Sequence, residues 1–166
     1  MPPALQGYGK PVSVQFFHGS ALNAVDAKNR VSIPAAFRDA IRNRTGGTDL
    51  FLGVALRQGC LVGYDLVQQE KLNAELEARH GAANSTERED DASKLFGLAE
   101  ALTIDSAGRI VLPPILKRVG RIGSQALFVG AGTSFLVWNP DLYLAQPGLD
   151  PQLAELARIH MEAKGL

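Results

Sequence analysis

DAKNRVSIP, residues 26–34, occurs a second time in the chain as DSAGRIVLP, residues 105–113. Both copies contain Asp, three residues, Arg, an apolar residue, a variable residue, an apolar residue and Pro. The two aspartates are separated by the same 79 positions as the two arginines and the two prolines. Apolar and basic characters also match further out, as at Phe17 and Phe96. An internal repeat predicts one structural unit built twice, in which neither copy buries its apolar face alone.

Each copy begins with residues typical of a tight turn. Asp26 and Asp105 are expected to accept hydrogen bonds from nearby backbone N–H groups, whereas Asn29 and Gly108 tolerate positive φ. The turn predicts a hairpin between a strand ending at residue 25 or 104 and one starting at residue 31 or 110. A proline then ends each second strand and suits the first turn of a helix. We therefore assign these four residues to fixing the two turns.

Two further pairs of apolar segments follow the repeated phrase. Residues 49–53 and 59–64 read as strands, and residues 125–130 and 134–138 are their counterparts in the second copy. Doubled four-strand units predict a small closed β structure rather than an open sheet. Cys60 lies within an apolar strand pattern, which favours a buried, unreactive thiol.

The remaining segments divide the chain into five parts. We predict a flexible arm at 1–15, a first repeat at 16–65, a helical connector at 66–95, a second repeat at 96–143 and a helical tail at 144–166. Leucines at helical spacing indicate an amphipathic helix within 67–80, and Ser85 or Thr86 could cap a second helix running to about residue 98.

Positive charge accompanies the repeated phrase although the chain has no net charge. Residues 26–44 carry five basic and two acidic side chains, and residues 105–121 carry four and one, whereas residues 65–100 are acidic. Clustered Lys and Arg on one face are typical of proteins that bind nucleic acid. For Arg42 and Arg44 we favour a solvated helix face instead.

Arg30 and Arg109 have two possible roles that the residues alone do not separate. Each could form an ion pair with the aspartate four residues earlier and fix the turn. Each could instead reach outward to a phosphate or to a guanine edge.

The double phrase resembles the MraZ family of bacterial transcriptional regulators, whose chains carry two SpoVT-AbrB-like repeats. The resemblance covers residues 16–143. The chain departs from the usual pattern at Asn29, where the family has Gly, at His18, where a basic residue is common, and in its longer N-terminus. The resemblance implies an α+β fold in which two intertwined AbrB-like ββαββ repeats form one small β-barrel-like core with peripheral helices.

The same resemblance implies a function and its partners. The chain would act as a sequence-specific DNA-binding regulator, mainly a repressor, of the cell-division and cell-wall gene cluster, in the cytoplasm and associated with the nucleoid. Its partners would be double-stranded DNA with tandem promoter repeats and copies of itself in a ring-shaped homo-oligomer. The residues expected to contact DNA are Arg30, Arg109 and Lys28, followed by Arg38 and Lys117. We expect the first repeat to dominate, because Ala107 stands opposite Lys28.

Other functional classes have weaker support in the sequence. The three histidines show no metal-binding or nucleophile-activating spacing, and no glycine-rich phosphate loop precedes a helix, so we expect no enzyme activity, metal, cofactor or small-molecule substrate. No apolar run is long enough to span a bilayer. An AbrB-like antitoxin with a toxin-binding tail and a purely structural assembly module remain alternatives. Antitoxins of this type usually carry one repeat, which disfavours the former.

Overall fold

The computed structural model describes residues 15–57, 59–81 and 84–166, so the predicted arm lies outside the described residues except for Gln15. Its helices and strands follow the repeat. In the first repeat they are β1 (Ser20–Ala24), β2 (Arg30–Ser32), α1 (Ala35–Thr45), β3 (Asp49–Val54) and β4 (Leu61–Tyr64). The second repeat contains β5 (Ala99–Thr103), β6 (Arg109–Val111), α4 (Pro114–Val119), β7 (Gln125–Gly130) and β8 (Phe135–Trp138). The predicted pairs β3–β4 and β7–β8 and the helices after the two prolines are confirmed. The two hairpins predicted across the turns are wrong, because β2 and β6 pair with each other instead.

The segments between and after the two repeats are mainly helical. The connector contains α2 (Leu66–His80), α3 (Thr86–Ala92) and the start of a short π-helix (Ser93–Gly97), which extends two residues past the predicted boundary. Helix α5 (Pro140–Leu144) begins within the predicted second repeat, and α6 (Pro151–Ala163) lies in the tail. Of the two predicted caps, Ser85 is the one used, because its side chain accepts a hydrogen bond from the backbone N–H of Arg88. No helix in the described part of the chain is long and apolar enough to cross a membrane.

Among the residues that the structure describes, six strands form one antiparallel sheet in the order β1-β7-β8-β4-β3-β5. The first strand of each repeat pairs with the third strand of the other, β1 with β7 and β5 with β3. The halves meet in the middle, where β4 pairs with β8. The order is therefore unchanged when the strands of one repeat are exchanged for those of the other.

The prediction of a closed barrel is wrong. β1 and β5 lie at opposite edges of the six-stranded sheet, and β2 and β6 pair with each other in a separate two-stranded ribbon. The sheet stays open because the chain after each edge strand turns away and joins the ribbon. A single bridge, Val25 to Val31, is formed where the sequence predicts the first hairpin, and the chain then leaves the sheet to pair with the other repeat.

The main core lies between one face of the sheet and the layer made by the ribbon, α1 and α4. Phenylalanines fill its centre, and the ring of Phe37 lies 4.9 Å from that of Phe135. Phe17 is buried in the same cluster, whereas its counterpart Phe96 is 44% exposed on the π-helix. The repeat therefore does not predict burial at this position. A smaller cluster, which contains Cys60, packs between the opposite face of the sheet and helices α5 and α6.

Candidate nucleic-acid interface

The first repeated phrase folds into a turn that is built around one carboxylate. Oδ1 of Asp26 accepts hydrogen bonds from the backbone N–H groups of Lys28, at 2.9 Å, and Arg30, at 2.8 Å. Oδ2 accepts a third bond from Nε of Arg30 at 2.7 Å. The backbone closes the turn between Asp26 and Arg30, and Asn29 has a φ of 61°. Asn is one of the few residues with a side chain that adopts this conformation at low cost.

The second turn repeats this arrangement bond for bond. Oδ1 of Asp105 accepts from the backbone N–H groups of Ala107 and Arg109, each at 2.9 Å, and Oδ2 accepts from Nε of Arg109 at 3.1 Å. Gly108 occupies the position of positive φ, at 82°. The two aspartates and the two residues of positive φ therefore lie where the sequence places them, within the turns.

Both carboxylates are held in the ionised state by the bonds they accept. Backbone hydrogen bonding from Arg30 is the main cause that lowers the pKa of Asp26, and partial desolvation opposes it. The backbone N–H of Arg109 has the same effect on the pKa of Asp105. A carboxylate that accepts backbone N–H bonds favours its charged form, so these turn bonds are strengthened by ionisation of the aspartates.

Arg30 and Arg109 lie on one face of the ribbon. Its register pairs Arg30 with Val111, Val31 with Ile110 and Ser32 with Arg109. Val31 and Ile110 are buried in the core, so the alternation of a strand directs the flanking residues to the opposite, outer face. In the described part of the chain each guanidinium bonds its aspartate through Nε, and the two terminal nitrogens have no hydrogen bond to protein.

Lys28 adds a third cation at the tip of the first turn. Its side chain is exposed, and Ala107 takes its place in the second turn. The outer face of the ribbon and its two turns thus present Arg30, Arg109 and Lys28 to solvent. We call this surface the ribbon face. A two-stranded ribbon is narrow enough to enter the major groove of B-DNA, and arginine can bond a guanine edge with both terminal nitrogens.

Arg38 and Lys117, one on each of α1 and α4, contact the turn of the opposite repeat. Lys117 Nζ donates a hydrogen bond to Oδ1 of Asn29 at 2.8 Å. The guanidinium of Arg38 lies against Gly108, so that a Cβ on that glycine would be 2.7 Å from Cζ of Arg38. Nε of Arg38 also donates to the backbone carbonyl of Ile33 at 3.2 Å. Both cations are partly buried, unlike the exposed Lys28.

The sequence-based interpretation of Arg44 is wrong, whereas Arg42 is exposed as expected. Arg44 is 9% exposed and forms an ion pair with Asp65, which is fully buried at the start of α2. Asp65 also accepts the backbone N–H of Gln68 and so caps that helix. Asp before an apolar helical segment is a recognisable capping signal. Nothing in the sequence indicates that its partner lies 21 residues earlier.

A second surface feature is an apolar groove of about 690 Å³ over the opposite face of the sheet. The connector helices and the C-terminal helices form its sides, and Leu72, Leu95, Leu136 and Leu153 are among its lining residues. Several large apolar side chains in this region are exposed, including Leu56 and Leu98. Within the described residues, no group of three or more His, Cys, Asp or Glu side chains could hold a metal ion.

Comparison with known proteins finds several relatives that carry the same name. The chain is 34% identical over 126 residues to "Transcriptional regulator MraZ" of Coxiella burnetii (strain RSA 493 / Nine Mile phase I), which covers 74% of this chain and 79% of that protein. It is 36% identical over 128 residues to the protein of the same name from Rickettsia rickettsii (strain Sheila Smith), covering 75% and 81%. The corresponding protein of Rhodospirillum rubrum is 32% identical over 136 residues, covering 82% and 87%.

A scan against protein-family models finds no match. The family assignment therefore rests on these relatives, each of which exceeds 30% identity over about three quarters of this chain or more. The shared region is long enough to include both repeats. The chain belongs to the MraZ family of transcriptional regulators.

Proposed function

We propose that the ribbon face binds double-stranded DNA and that this contact carries the regulatory function. One observation supports it above all others: the ribbon register directs Arg30 and Arg109 to the same outer face, and their terminal nitrogens have no hydrogen bond to any residue that the structure describes. The aspartates hold the arginines through Nε, which fixes their direction before any ligand arrives. Side chains ordered in advance lose less conformational entropy on binding.

The roles on this face are divided by geometry. Arg30 and Arg109 contact base edges in the major groove or neighbouring phosphates, and Lys28 contacts a phosphate from the tip of its turn. Asp26 and Asp105 orient the arginines and do not touch DNA. The first repeat contributes more, because Lys28 has no charged counterpart in the second turn.

A single chain offers few contacts, so we propose that it acts as a ring-shaped homo-oligomer on tandem promoter repeats. The exposed apolar residues around the groove support self-association, since a protein surface of this character is often covered by a partner. Several ribbon faces held on one assembly bind adjacent DNA repeats at high effective concentration. The regulated genes would be the cell-division and cell-wall cluster, with repression as the main outcome at the nucleoid.

A second candidate is a structural assembly module, in which the repeats serve only to build the oligomer. The apolar groove favours it, because the groove lies on the opposite side of the sheet from the ribbon. DNA binding requires the positive charge of the ribbon face, whereas assembly of the oligomer does not.

Fluorescence anisotropy with duplex DNA from upstream of the protein's own gene tests the proposal. Wild type, Arg30→Ala and Arg109→Ala are compared across a salt series and against scrambled duplex. Arg158→Ala is the matched control, because this exposed arginine on α6 pairs with Glu155 outside the ribbon. Each ribbon arginine should contribute about 1–3 kcal/mol of discrimination between the two duplexes, and the control should contribute none.

The assembly is measured on the same samples by light scattering. Unchanged oligomer size in Arg30→Ala, together with lost promoter selectivity, supports DNA reading by the ribbon face. Wild-type protein that shows no preference between promoter and scrambled duplex at any salt concentration contradicts the proposal and favours the assembly module.

A further inference from the structure

The cations of α1 and α4 are joined to the turns by a reciprocal pattern that crosses between the repeats. Lys117 of the second repeat bonds Asn29 of the first, and Arg38 of the first repeat lies against Gly108 of the second. Arg38 and Lys117 occupy equivalent positions 79 residues apart, as do Asn29 and Gly108. Each pair therefore consists of one helix cation and the positive-φ residue of the opposite turn.

The same two turn residues are also held by their backbones. The carbonyl of Asn29 accepts the N–H of Leu112 at 2.7 Å, and the carbonyl of Gly108 accepts the N–H of Ile33 at 2.9 Å. These bonds continue the ribbon beyond β2 and β6 into the turns. Each turn is thus attached to the opposite repeat from two sides, at the position just before its arginine.

The two pairs fill the same space in different ways. At Gly108 a Cβ would lie 2.7 Å from both Cζ and Nη1 of Arg38, which leaves no room for a side chain while the guanidinium stays in place. At Asn29 a side chain is present, and the slimmer Lys117 meets its amide oxygen end-on. The bulky guanidinium of Arg38 therefore faces a glycine, and the narrower ammonium of Lys117 faces the short polar side chain of Asn29.

We propose that Lys117 and Arg38 are positioning residues that each seat the DNA-reading turn of the opposite repeat, and that Asn29–Lys117 and Gly108–Arg38 are size-matched pairs. This inference rests on the proposed function of the ribbon face. It gives Arg38 and Lys117 a role different from the direct DNA contact that the sequence suggests for them. It also explains why Asn is accommodated in the first turn of this chain: its amide supplies the acceptor that Lys117 uses.

A double-mutant cycle separates positioning from direct phosphate contact. Lys117→Met, Asn29→Gly and their combination are assayed with the promoter duplex across a salt series. We expect Lys117→Met to weaken binding roughly tenfold with an unchanged salt slope, and to have no further effect in the Asn29→Gly background. If Lys117→Met instead reduces the slope of log K against log salt concentration by about 0.9, and weakens binding equally in both backgrounds, Lys117 is a phosphate contact and the proposal is overturned.

Exchanging residues between the two pairs tests the size matching. Lys117→Arg should weaken binding while Asn29 is present and recover in Asn29→Gly/Lys117→Arg, which reproduces the pair of the other turn. Gly108→Asn should likewise weaken binding and recover when combined with Arg38→Lys. Double variants that bind no better than the single variants contradict the matching of the two pairs.

Amide hydrogen exchange in the free protein provides a readout that does not require DNA. Lys117→Met should accelerate exchange at the backbone N–H groups of Lys28 and Arg30, which bond Asp26, and leave those of Ala107 and Arg109 unchanged. If wild type binds no duplex, the proposed function fails, and this comparison alone decides the pairing. Unchanged exchange in the first turn overturns it.

Discussion

Loss of the buried ion pair between Arg44 and Asp65 should destabilise this protein more than loss of any exposed pair. Arg44→Met keeps an unbranched stem of similar bulk, so the change removes mainly the charge and its hydrogen bonds. Nη2 of Arg44 also donates to Oδ1 of Asp65 at 3.2 Å, and the carboxylate is fully buried. Removing one partner of such a pair typically costs about 3–5 kcal/mol.

The structure indicates the lower end of that range. Asp65 keeps the hydrogen bond from the backbone N–H of Gln68 after the arginine is gone, so its carboxylate is not left without a donor. We therefore expect a loss of about 3 kcal/mol in the free energy of unfolding. For a chain of this length that corresponds to a fall in Tm of roughly 6–12 °C.

Calorimetry at neutral pH measures the effect, and Arg42→Met is the matched control. Arg42 lies on the same helix, is 63% exposed and contacts Asp39 at 3.6 Å, so its loss should cost less than about 1 kcal/mol. Asp65→Asn in the Arg44→Met background should restore part of the stability, because it removes the unpaired charge and retains a capping side chain. Equal losses in Arg44→Met and Arg42→Met would refute this account of the buried pair.

Three further predictions concern single residues. The pKa of Asp26 is lowered from its ordinary value of 3.8 by folding, so its contribution to stability is complete above about pH 4 and is lost as the pH falls through the lowered pKa. The Tm difference between wild type and Asp26→Asn should therefore be constant near neutral pH and shrink in acid, and a difference that is independent of pH contradicts the bonding of the turn. Burial raises the pKa of Cys60 from 9.0 to about 11, so alkylation by iodoacetamide at pH 8 should be at least about 100-fold slower in the native protein than in urea; similar rates would show that the thiol is accessible. Gly63→Ala would place its Cβ 2.1 Å from the ring of Phe135 and should lower stability by about 1–3 kcal/mol in urea unfolding, with Gly123→Ala, an open position, as the control.

The sequence contained enough information for the local structure of the two turns. Asp at the start of each phrase and Asn or Gly before each arginine are sufficient to predict the turn, because the bonds involved join residues at most four positions apart. The prolines similarly predicted where the two short strands end and where α1 and α4 begin. The order of strands along the chain followed from the repeat.

The partners of those strands could not be read from the sequence. The sequence allows β2 to pair either with β1 across its own turn or with β6 of the other repeat. In the folded protein an isolated bridge joins Val31 of β2 to Val25, Val31 is buried against the sheet, and β2 pairs with β6. The six-stranded sheet is therefore not closed into the predicted barrel. The sequence likewise did not indicate that the guanidinium of Arg38 lies against the turn of the other repeat.

The sequence alone thus determined the family, the repeat and the residues of each turn, since these depend on identity and short spacing. Tertiary structure decided which cations remain available on the surface. Arg44 and Arg30 are chemically alike and only 14 residues apart, yet the side chain of Arg44 is 9% exposed beside Asp65 whereas that of Arg30 is 35% exposed beside Asp26. That difference arises from contacts between distant segments, because burial depends on which faces of the repeats come together.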